Sequence, residues 1–225
     1  MISRRNKEDS ANQTLMILKE CRAIIENDHF VYVSGHHGSG WINKDAIYPD
    51  TRRIIKLSKL LAEALVDIDA DVICGPAIAG VIVSQWTAYH LQKLSVFAEH
   101  DLSRRSEGAA GRGGALRAPF ILKRGYDKLV SKRRVIVVDD IINTGFSALS
   151  TIEAVSRSGG TVVALAVLIN RGNIDVSEFG VDEFIFLLEY DIPVWPASEC
   201  KLCLKGVPIN TDYGHGREFL HAKSR

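Results

Sequence analysis

Short apolar runs alternate with longer amphipathic segments along most of this chain. The sequence predicts strands at five of the runs, which are "ADVICGPA", "SVFAEH", "RVIVVDD", "TVVALAVLIN" and "EFIFLLEY". The segments between them, such as "GVIVSQWTAYHLQKL", have the apolar spacing of helices, as do "LMILKECRAIIEN" and "TRRIIKLSKLLAEALVDI". This alternation is typical of an α/β fold with a Rossmann-like, mostly parallel central sheet flanked by helices.

Length and local composition predict one domain over residues 1–225. A hydrophobic content of 46% is enough for one sizeable core. The polar residues 1–13 are expected to be flexible, and the tail over residues 192–225 has no clear period and is expected to be irregular. Residues 101–119 carry four glycines and four arginines with little to bury, which predicts a mobile loop.

Charge and cysteine content exclude several classes of protein. With 28 basic and 27 acidic residues the net charge is +1, so no nucleic acid or anionic membrane is expected as a partner. No run reaches the roughly 18 apolar residues of a membrane span, and the N-terminus has no signal-peptide core. We therefore expect a cytoplasmic protein. Its four cysteines are too few for a disulfide framework and are expected to be reduced.

Two adjacent acids end the predicted strand "RVIVVDD", and "NTGFS" follows two residues later. Asp139 and Asp140 should lie at the carboxyl end of a central parallel strand, where open α/β sheets bind ligands. Thr144, Gly145 and Ser147 lie where a helix predicted from Ser147 to about Ser158 begins, and a helix N-terminus suits a phosphate. The carboxylates suit vicinal hydroxyls or a hydrated Mg²⁺. Together these groups predict a site for a ribose 5-phosphate. The alternative is that the acids only cap the helix and "NTG" is an ordinary turn.

The string "VIVVDDIINTGFS" resembles the phosphoribosyl pyrophosphate signature of the type I phosphoribosyltransferase family. Three further stretches resemble the orotate phosphoribosyltransferases within it, which are "HFVYVSGHHGSGWINKDAIYPD", "VICGPAIAGVIVSQ" and "VLINRG". The resemblance implies the type I phosphoribosyltransferase fold, with a small hood formed by N-terminal and C-terminal segments. It places a hood segment at residues 30–50 and a lid at the mobile loop of residues 101–119.

The resemblance also implies roles for individual residues. It assigns Asp139 and Asp140 to catalysis at the ribose hydroxyls and the region of the metal. The phosphate-binding residues it implies are Asn143, Thr144, Gly145, Phe146 and Ser147. Those implied for pyrophosphate are Gly75, Pro76, Ala77, Ile78, Ala79 and Gly80. Those implied for the base are Arg171, Lys44, Ser34 and Gly35, with the Arg171 guanidinium suited to a carboxylate.

The chain departs from the family pattern in its predicted lid. Many members carry an Arg-Lys pair where this chain has Glu99 and His100. Basic residues come later, so Lys123 is predicted as the catalytic lid cation, with Arg124 or a loop arginine as alternatives. Phe146 replaces a glycine that is common in the phosphate loop, which should narrow that loop.

The implied reaction transfers the ribose 5-phosphate group of phosphoribosyl pyrophosphate to orotate, giving orotidine 5-phosphate and pyrophosphate for pyrimidine nucleotide synthesis. The implied cofactor is Mg²⁺, bound mainly through phosphoribosyl pyrophosphate, and the implied assembly is a homodimer. Two alternatives stay open, namely transfer to a purine base and a non-catalytic regulator that senses a nucleotide. The near-neutral charge counts against a regulator that binds nucleic acid.

No residue is assigned to a metal from the sequence, although the tail leaves one open. Cys200 and Cys203, with His215 and His221, have a spacing close to that of a zinc site, which we hold as a minority interpretation. His36 and His37 are expected to be exposed polar residues of a loop. Cys74, inside an apolar run, is expected to be a small core residue.

Overall fold

A computed structural model describes residues 4–101, 118–172 and 176–223. The strands, in chain order, are β1 (Ile24–Val31), β2 (His37–Ile42), β3 (Val72–Pro76), β4 (Leu94–His100), β5 (Phe120–Ile121), β6 (Arg134–Ile142), β7 (Thr161–Asn170), β8 (Glu183–Glu189) and β9 (Val194–Trp195). The α-helices are α1 (Arg4–Glu20), α2 (Thr51–Leu65), α3 (Ala79–Leu91), α4 (Tyr126–Val130), α5 (Phe146–Arg157), α6 (Lys201–Leu204) and α7 (Gly216–Lys223). Short 3₁₀ helices lie at Lys44–Ala46, Val176–Phe179 and Ala197–Glu199.

The main sheet has six strands in the order β5-β4-β3-β6-β7-β8. Its neighbouring strands are parallel except at the edge, where β5 runs antiparallel to β4. All five strands that the sequence predicted are present, because each is an apolar run that can be covered on both faces. The predicted α/β fold with a mostly parallel central sheet is confirmed.

Helices cover both faces of this sheet. Along β6, Ile136 and Val138 face the cluster formed with α1, α2 and α3, whereas Val135 and Val137 face the clusters formed with α4 and α5. This alternation follows from the two-residue period of a strand. Since α3 and α5 lie on opposite faces, the crossovers that leave β3 and β6 run in opposite directions along the sheet.

A second, antiparallel sheet with the order β1-β2-β9 forms a small hood. We call these three strands and the turn over residues 32–36 the hood. The helix predicted at "LMILKECRAIIEN" is only partly correct, because α1 ends at Glu20 and β1 begins at Ile24. Arg22 between them has a φ of 55°, which breaks the helix, and β1 then pairs with β2.

Both ends of the chain are more regular than the sequence predicted. Helix α1 begins at Arg4, so residues 4–13 lie in a regular element that the sequence did not predict, while residues 1–3 lie outside the described part and the expected flexibility stays a prediction. Apolar residues of α1, including Leu15, Ile17 and Leu18, hold it against the core. The tail is not irregular either, because β9 pairs with β2 and two tail amides, of Asn210 and His215, donate to β1 carbonyls.

The loop predicted at residues 101–119 falls largely on residues 102–117, outside the part that the structure describes. Within the described ranges, no helix combines the length and apolar character that a membrane crossing requires.

Candidate active site

The candidate site lies where the strand order of the main sheet reverses, between β3 and β6. The chain leaves β3 toward β4 and leaves β6 toward β7, which makes this crevice the topological switch point of the sheet. Strand β3 pairs with β6 only as far as Cys74 and Val137, while β7 follows β6 to Ile142. Asp139 and Asp140 therefore lie within β6, two residues short of its end, but still border the crevice.

Asp140 is buried and held by two side chains from the segment after the hood. One oxygen, Oδ2, accepts hydrogen bonds from Lys44 Nζ at 2.8 Å and from the Tyr48 hydroxyl at 2.6 Å. Burial by itself would lower the pKa of Lys44, but the charge and hydrogen bond of Asp140, together with the charges of Asp45 and Asp139, outweigh burial and the pKa is raised. Burial and Asp140 both raise the pKa of Tyr48. Lys44 therefore remains a cation, and Tyr48 a hydrogen-bond donor, beside this carboxylate.

Asp139 has a different environment. Its Oδ1 accepts a hydrogen bond from the Asp140 backbone N–H at 2.8 Å. Burial raises the pKa of Asp139 well above the usual range, and the neighbouring charge of Asp140 raises it further. Without a ligand, this carboxyl keeps its proton to a higher pH than an exposed aspartate does. A cation beside it would favour the charged form.

The loop after β6 forms a cavity of about 210 Å³. Its lining consists of Val33, Asp139, Ile141, Ile142, Asn143, Thr144, Gly145, Phe146, Ser147 and Ala148. Gly145 begins α5 with a φ of +74°, and a Cβ there would come within 2.5 Å of the Phe179 ring. Only glycine fits this position, and it leaves the first turn of α5 without a side-chain cap. All five residues predicted for the phosphate thus meet Asp139 in one cavity.

The predicted pyrophosphate loop, residues 75–80, joins β3 to α3 and approaches the same aspartate. A Cβ on Gly80 would lie 2.5 Å from Pro76 Cδ and 3.0 Å from Asp139 Oδ1. The backbone at Gly80 can come this close only because it has no side chain. The structure therefore brings this loop against the carboxylate site.

Arg171 follows β7 and lies under the hood. Its backbone N–H donates to the Ile142 carbonyl at 3.0 Å, which fixes it beside the end of β6. The guanidinium carbon is 4.9 Å from the centroid of the Tyr32 ring. Burial raises the pKa of Tyr32, although Arg171 opposes that shift. Ser34 and Gly35 lie in the turn after Tyr32, and the Gly35 N–H donates to the Tyr32 carbonyl at 2.8 Å.

Lys123 lies in the turn between β5 and α4. Its Nζ lies 3.3 Å from Glu99 Oε1, and Arg124 Nη1 lies 2.7 Å from Glu99 Oε2. Hydrogen bonds from Arg124 and Lys123, opposed by a smaller effect of burial, lower the pKa of Glu99. Among the residues that the structure describes, the cation that contacts Asp140 is Lys44. The role of Lys123 stays a prediction.

Two residues of the site were not found from the sequence. Tyr48 comes four positions after Lys44 and contacts the same carboxylate oxygen. Tyr32 connects β2 of the hood to Arg171, because its hydroxyl donates to the Gly40 carbonyl at 2.5 Å while its ring contacts the Arg171 guanidinium. Neither tyrosine has a charge or a spacing that marks it. The only signal was that both fall within the hood segment of residues 30–50.

Comparison with known proteins identifies the family of this chain. The profile described as "Phosphoribosyl transferase domain" matches residues 43–200, which include the aspartates, both anion loops and Arg171. This match, together with the two anion loops at the switch point of the sheet, indicates an enzyme that transfers phosphoribosyl groups. The chain belongs to the phosphoribosyltransferase family. A relative from Thermotoga maritima, named orotate phosphoribosyltransferase, is 33% identical over 200 residues, 89% of this chain and 97% of the relative.

Solved structures show the same fold. The orotate phosphoribosyltransferase of Mycobacterium tuberculosis H37Rv, in complex with 5-phospho-α-D-ribosyl 1-diphosphate, has a TM-score of 0.57 at 19% identity, covering 80% of this chain and 96% of that one. The adenine phosphoribosyltransferase of Thermoanaerobacter pseudethanolicus has a TM-score of 0.59 at 19% identity, covering 78% and 99%. The fold alone therefore does not select the base.

Proposed function

We propose that this chain transfers the ribose 5-phosphate group of phosphoribosyl pyrophosphate to orotate, releasing pyrophosphate and orotidine 5-phosphate. The observation that carries the proposal is the meeting of three groups around one crevice: the phosphate loop, the paired aspartates and a guanidinium under the hood. The Thermotoga maritima relative, which the chain matches over almost its whole length, supports orotate as the base.

The phosphate loop and Asp139 would hold the sugar. Backbone N–H groups at the start of α5, with Thr144 and Ser147, suit the 5-phosphate, because a helix N-terminus favours an anion. Asp139 and Asp140 suit the ribose hydroxyls as hydrogen-bond acceptors. The close approach of the Gly80 backbone to Asp139 supports binding of the pyrophosphate by backbone amides of residues 75–80. These contacts fix the anomeric carbon relative to the base.

The residues present also fit a magnesium ion carried by the substrate. Mg²⁺ usually keeps several waters and binds through one or two carboxylates plus substrate phosphates, and the crevice supplies two buried carboxylates next to the pyrophosphate loop. Asp139 and Asp140 would hold the ion, which when bound neutralises charge on the departing pyrophosphate. Burial raises the pKa of Asp139, and a cation bound beside it would favour the ionised form.

The chemical step needs orientation and charge more than a covalent catalyst. A ring nitrogen of orotate forms a bond to the anomeric carbon as the bond from that carbon to the pyrophosphate oxygen breaks, and the proton of the ring nitrogen passes to solvent. The transition state has oxocarbenium character and is favoured by nearby carboxylates such as Asp139 and Asp140. Arg171 and Tyr32 would orient the base, the guanidinium by its charge and the ring by stacking.

A panel of bases tests the proposal. The purified protein is supplied with phosphoribosyl pyrophosphate and Mg²⁺ and, in separate reactions, with orotate, uracil, adenine, guanine or hypoxanthine, and pyrophosphate release is measured. Orotate alone should support turnover, and chelation of Mg²⁺ should abolish it. Turnover with a purine and none with orotate would replace the proposed base while keeping the transferase reaction.

Lys123 is expected to act as the cation opposite the pyrophosphate, which requires its side chain to leave Glu99. Lys123→Ala should therefore lower kcat, whereas Lys128→Ala, on the neighbouring helix α4, should leave kcat unchanged. Equal activity of both variants would remove Lys123 from the mechanism.

A homodimer is expected from the family resemblance, and sedimentation velocity measures the oligomeric state directly.

A further inference from the structure

Four side chains with metal-binding atoms meet between the hood and the C-terminal tail. They are His29, His37, Cys200 and Cys203, and one ligand atom from each lies within 4.8 Å of the others. His29 Nε2 is 2.8 Å from His37 Nδ1, and 3.5 Å and 3.8 Å from the sulfurs of Cys200 and Cys203. The Cys203 sulfur is 3.4 Å from His37 Nδ1. None of these residues belongs to the transferase site described above.

The two histidines come from neighbouring strands of the hood. Val31 of β1 pairs with His37 of β2, so His29, two positions before Val31, lies on the same face as His37. Both imidazoles are buried, which overturns the expectation that His37 is an exposed loop residue. His36, by contrast, is exposed as expected. The hairpin thus presents two ring nitrogens on one face.

The two cysteines come from the start of α6 in the tail. Cys200 is 1% exposed, and its sulfur accepts a hydrogen bond from the Cys203 backbone N–H at 3.5 Å. This hydrogen bond fixes the position of the Cys200 sulfur beside Cys203. Cys200 and His29 are 171 positions apart in the sequence, so the cluster exists only in the folded chain.

The hydrogen bonding of His29 sets which of its nitrogens can bind a metal. Its Nδ1 lies 2.8 Å from the Val207 carbonyl oxygen, which can only accept, so Nδ1 carries the proton. A neutral imidazole then has its lone pair on Nε2, the atom that faces His37 and both sulfurs. An imidazole whose second nitrogen donates to a backbone carbonyl is the usual arrangement at protein metal sites.

From this geometry we propose that His29, His37, Cys200 and Cys203 bind a structural Zn²⁺ ion. Two thiolates and two imidazoles are a ligand set that zinc binds tetrahedrally. With metal–ligand bonds of about 2.0–2.3 Å, such an ion separates its ligand atoms by roughly 3.3–3.8 Å. The sulfur–nitrogen distances of 3.4, 3.5 and 3.8 Å already match. Of these four distances, only the nitrogen–nitrogen distance of 2.8 Å lies outside that range, and it must widen by about half an ångström. The two remaining pairs, His37 with Cys200 and Cys200 with Cys203, lie within 4.8 Å.

The site is structural because all four positions would be filled by the protein, leaving none for a substrate. It joins the N-terminal hairpin to the tail, and the Phe219 ring of α7 covers His37 edge-on at 4.8 Å between ring centroids. The turn over residues 32–36 connects the two strands that carry the histidines. An ion at this position would therefore hold the base of the turn that places Tyr32 over Arg171.

The ligand set differs from the one that the sequence left open. Cys200 and Cys203 take part, but His215 and His221 do not belong to the cluster in the described part of the chain, and both are exposed. The His215 backbone N–H instead donates to the Val31 carbonyl at 2.8 Å, which attaches the tail to β1. These two histidines therefore provide matched controls.

The experiment is metal analysis of the full chain, purified without chelators and compared across variants. Wild-type protein should contain one zinc ion per chain by inductively coupled plasma mass spectrometry. Cys200→Ser, Cys203→Ser and His29→Gln should each lose most of the zinc, whereas His215→Gln, His221→Gln and Cys21→Ser should keep it. Loss of zinc from the His215 and His221 variants, with retention in His29→Gln, would overturn the assignment.

A second measurement needs no variant, in case the substitutions prevent folding. Zinc is removed from the wild-type protein and Co²⁺ is added, and the absorption spectrum should show the charge-transfer bands of cobalt–thiolate bonds together with the visible bands of tetrahedral cobalt. Octahedral cobalt without thiolate bands would refute the site. So would iron in place of zinc, or a Cys200–Cys203 disulfide in freshly purified protein. Neither measurement uses transferase activity, so its result is independent of the proposed function.

Discussion

The two halves of the candidate site are built in different ways. The phosphate half is one continuous segment, β6 with its loop and α5, set in the middle of a six-stranded sheet. The hood half is assembled from a hairpin near the N-terminus, Arg171 at the end of β7 and a tail that pairs with β2. The backbone of one continuous segment fixes the first half, whereas contacts between segments distant in the sequence fix the second.

This difference predicts how each half responds to substitution. A side chain of the phosphate half can lose its charge while the strand and loop keep their shape, so its loss should appear in the chemical step. A side chain of the hood also holds other segments in place, so its loss should appear in recognition of the base. Lys44, in the segment that follows the hood hairpin, contacts Asp140, 96 positions away, and so connects the two halves.

The largest effect is expected at Arg171. Arg171→Ala should reduce kcat/KM for orotate by about 2–5 kcal/mol, the range for truncating one partner of a desolvated charge pair, while the KM for phosphoribosyl pyrophosphate stays nearly constant. Steady-state kinetics with each substrate varied in turn measures both. Arg134→Ala is the control, because Arg134 pairs with the exposed Asp69. Equal loss for both substrates would show that Arg171 supports the fold rather than the base.

Asp140→Asn should have the next largest effect. The variant removes the charge that Lys44 and Tyr48 contact, and a hydrogen bond to a charged group is worth about 1.5–3 kcal/mol, or roughly 10- to 150-fold in turnover. Single-turnover measurements of pyrophosphate release report this loss. The matched change Asp69→Asn, at an exposed residue, should leave the rate unaltered. Wild-type turnover in Asp140→Asn would remove the carboxylates from the mechanism.

The sequence was informative where structure is local. The apolar run of β6, the adjacent acids and "NTGFS" lie within one segment, so the strand, the loop and the helix could each be predicted from their own residues. The boundary between α1 and β1 could not, because "LMILKECRAIIEN" keeps an apolar period across it. Pairing of β1 with β2 decides that boundary, and pairing is not local.

The hood shows the same limit for function. His29 sits in a half-exposed strand pattern and His37 follows a turn, and neither position has a spacing relative to Cys200 that a motif could record. Cys200 and Cys203 could be identified as a pair, but the choice of histidines depended on how the tail folds back over β1. The tyrosines at positions 32 and 48 were missed for the same reason.

The hood half is tested by a substitution outside the transferase crevice. If the cluster of His29, His37, Cys200 and Cys203 holds the turn over residues 32–36, Cys200→Ser should raise the KM for orotate several-fold and leave the KM for phosphoribosyl pyrophosphate nearly unchanged. Cys21→Ser, at a partly buried cysteine outside the cluster, is the control. Circular dichroism establishes that the variant is folded. A parallel rise of both KM values would indicate that the hood and the phosphate half are not separable.

The smallest effect concerns stability, and it is expected at Asp139. Burial raises the folded-state pKa of this carboxyl, with Asp140 adding to the shift and Lys44 opposing it. In the unfolded chain an aspartate ionises near pH 3.9, so above that pH the folded protein binds more protons at Asp139 than the unfolded chain does. This group therefore lowers the free energy of unfolding as pH rises through its folded-state pKa.

Asp139→Asn removes the unfavourable ionisation of a buried carboxyl and keeps an oxygen that accepts the Asp140 N–H. The variant should therefore melt a few degrees above wild type at pH 7, since about 2–4 °C corresponds to 1 kcal/mol in a chain of this size, and the difference should vanish below about pH 4. Thermal melts of wild type, Asp139→Asn and the exposed control Asp69→Asn across this pH range measure it. A destabilised variant at neutral pH would mean that the Asp139 carboxylate already has a compensating partner, and that the phosphate half is stabilised by its charges rather than strained by them.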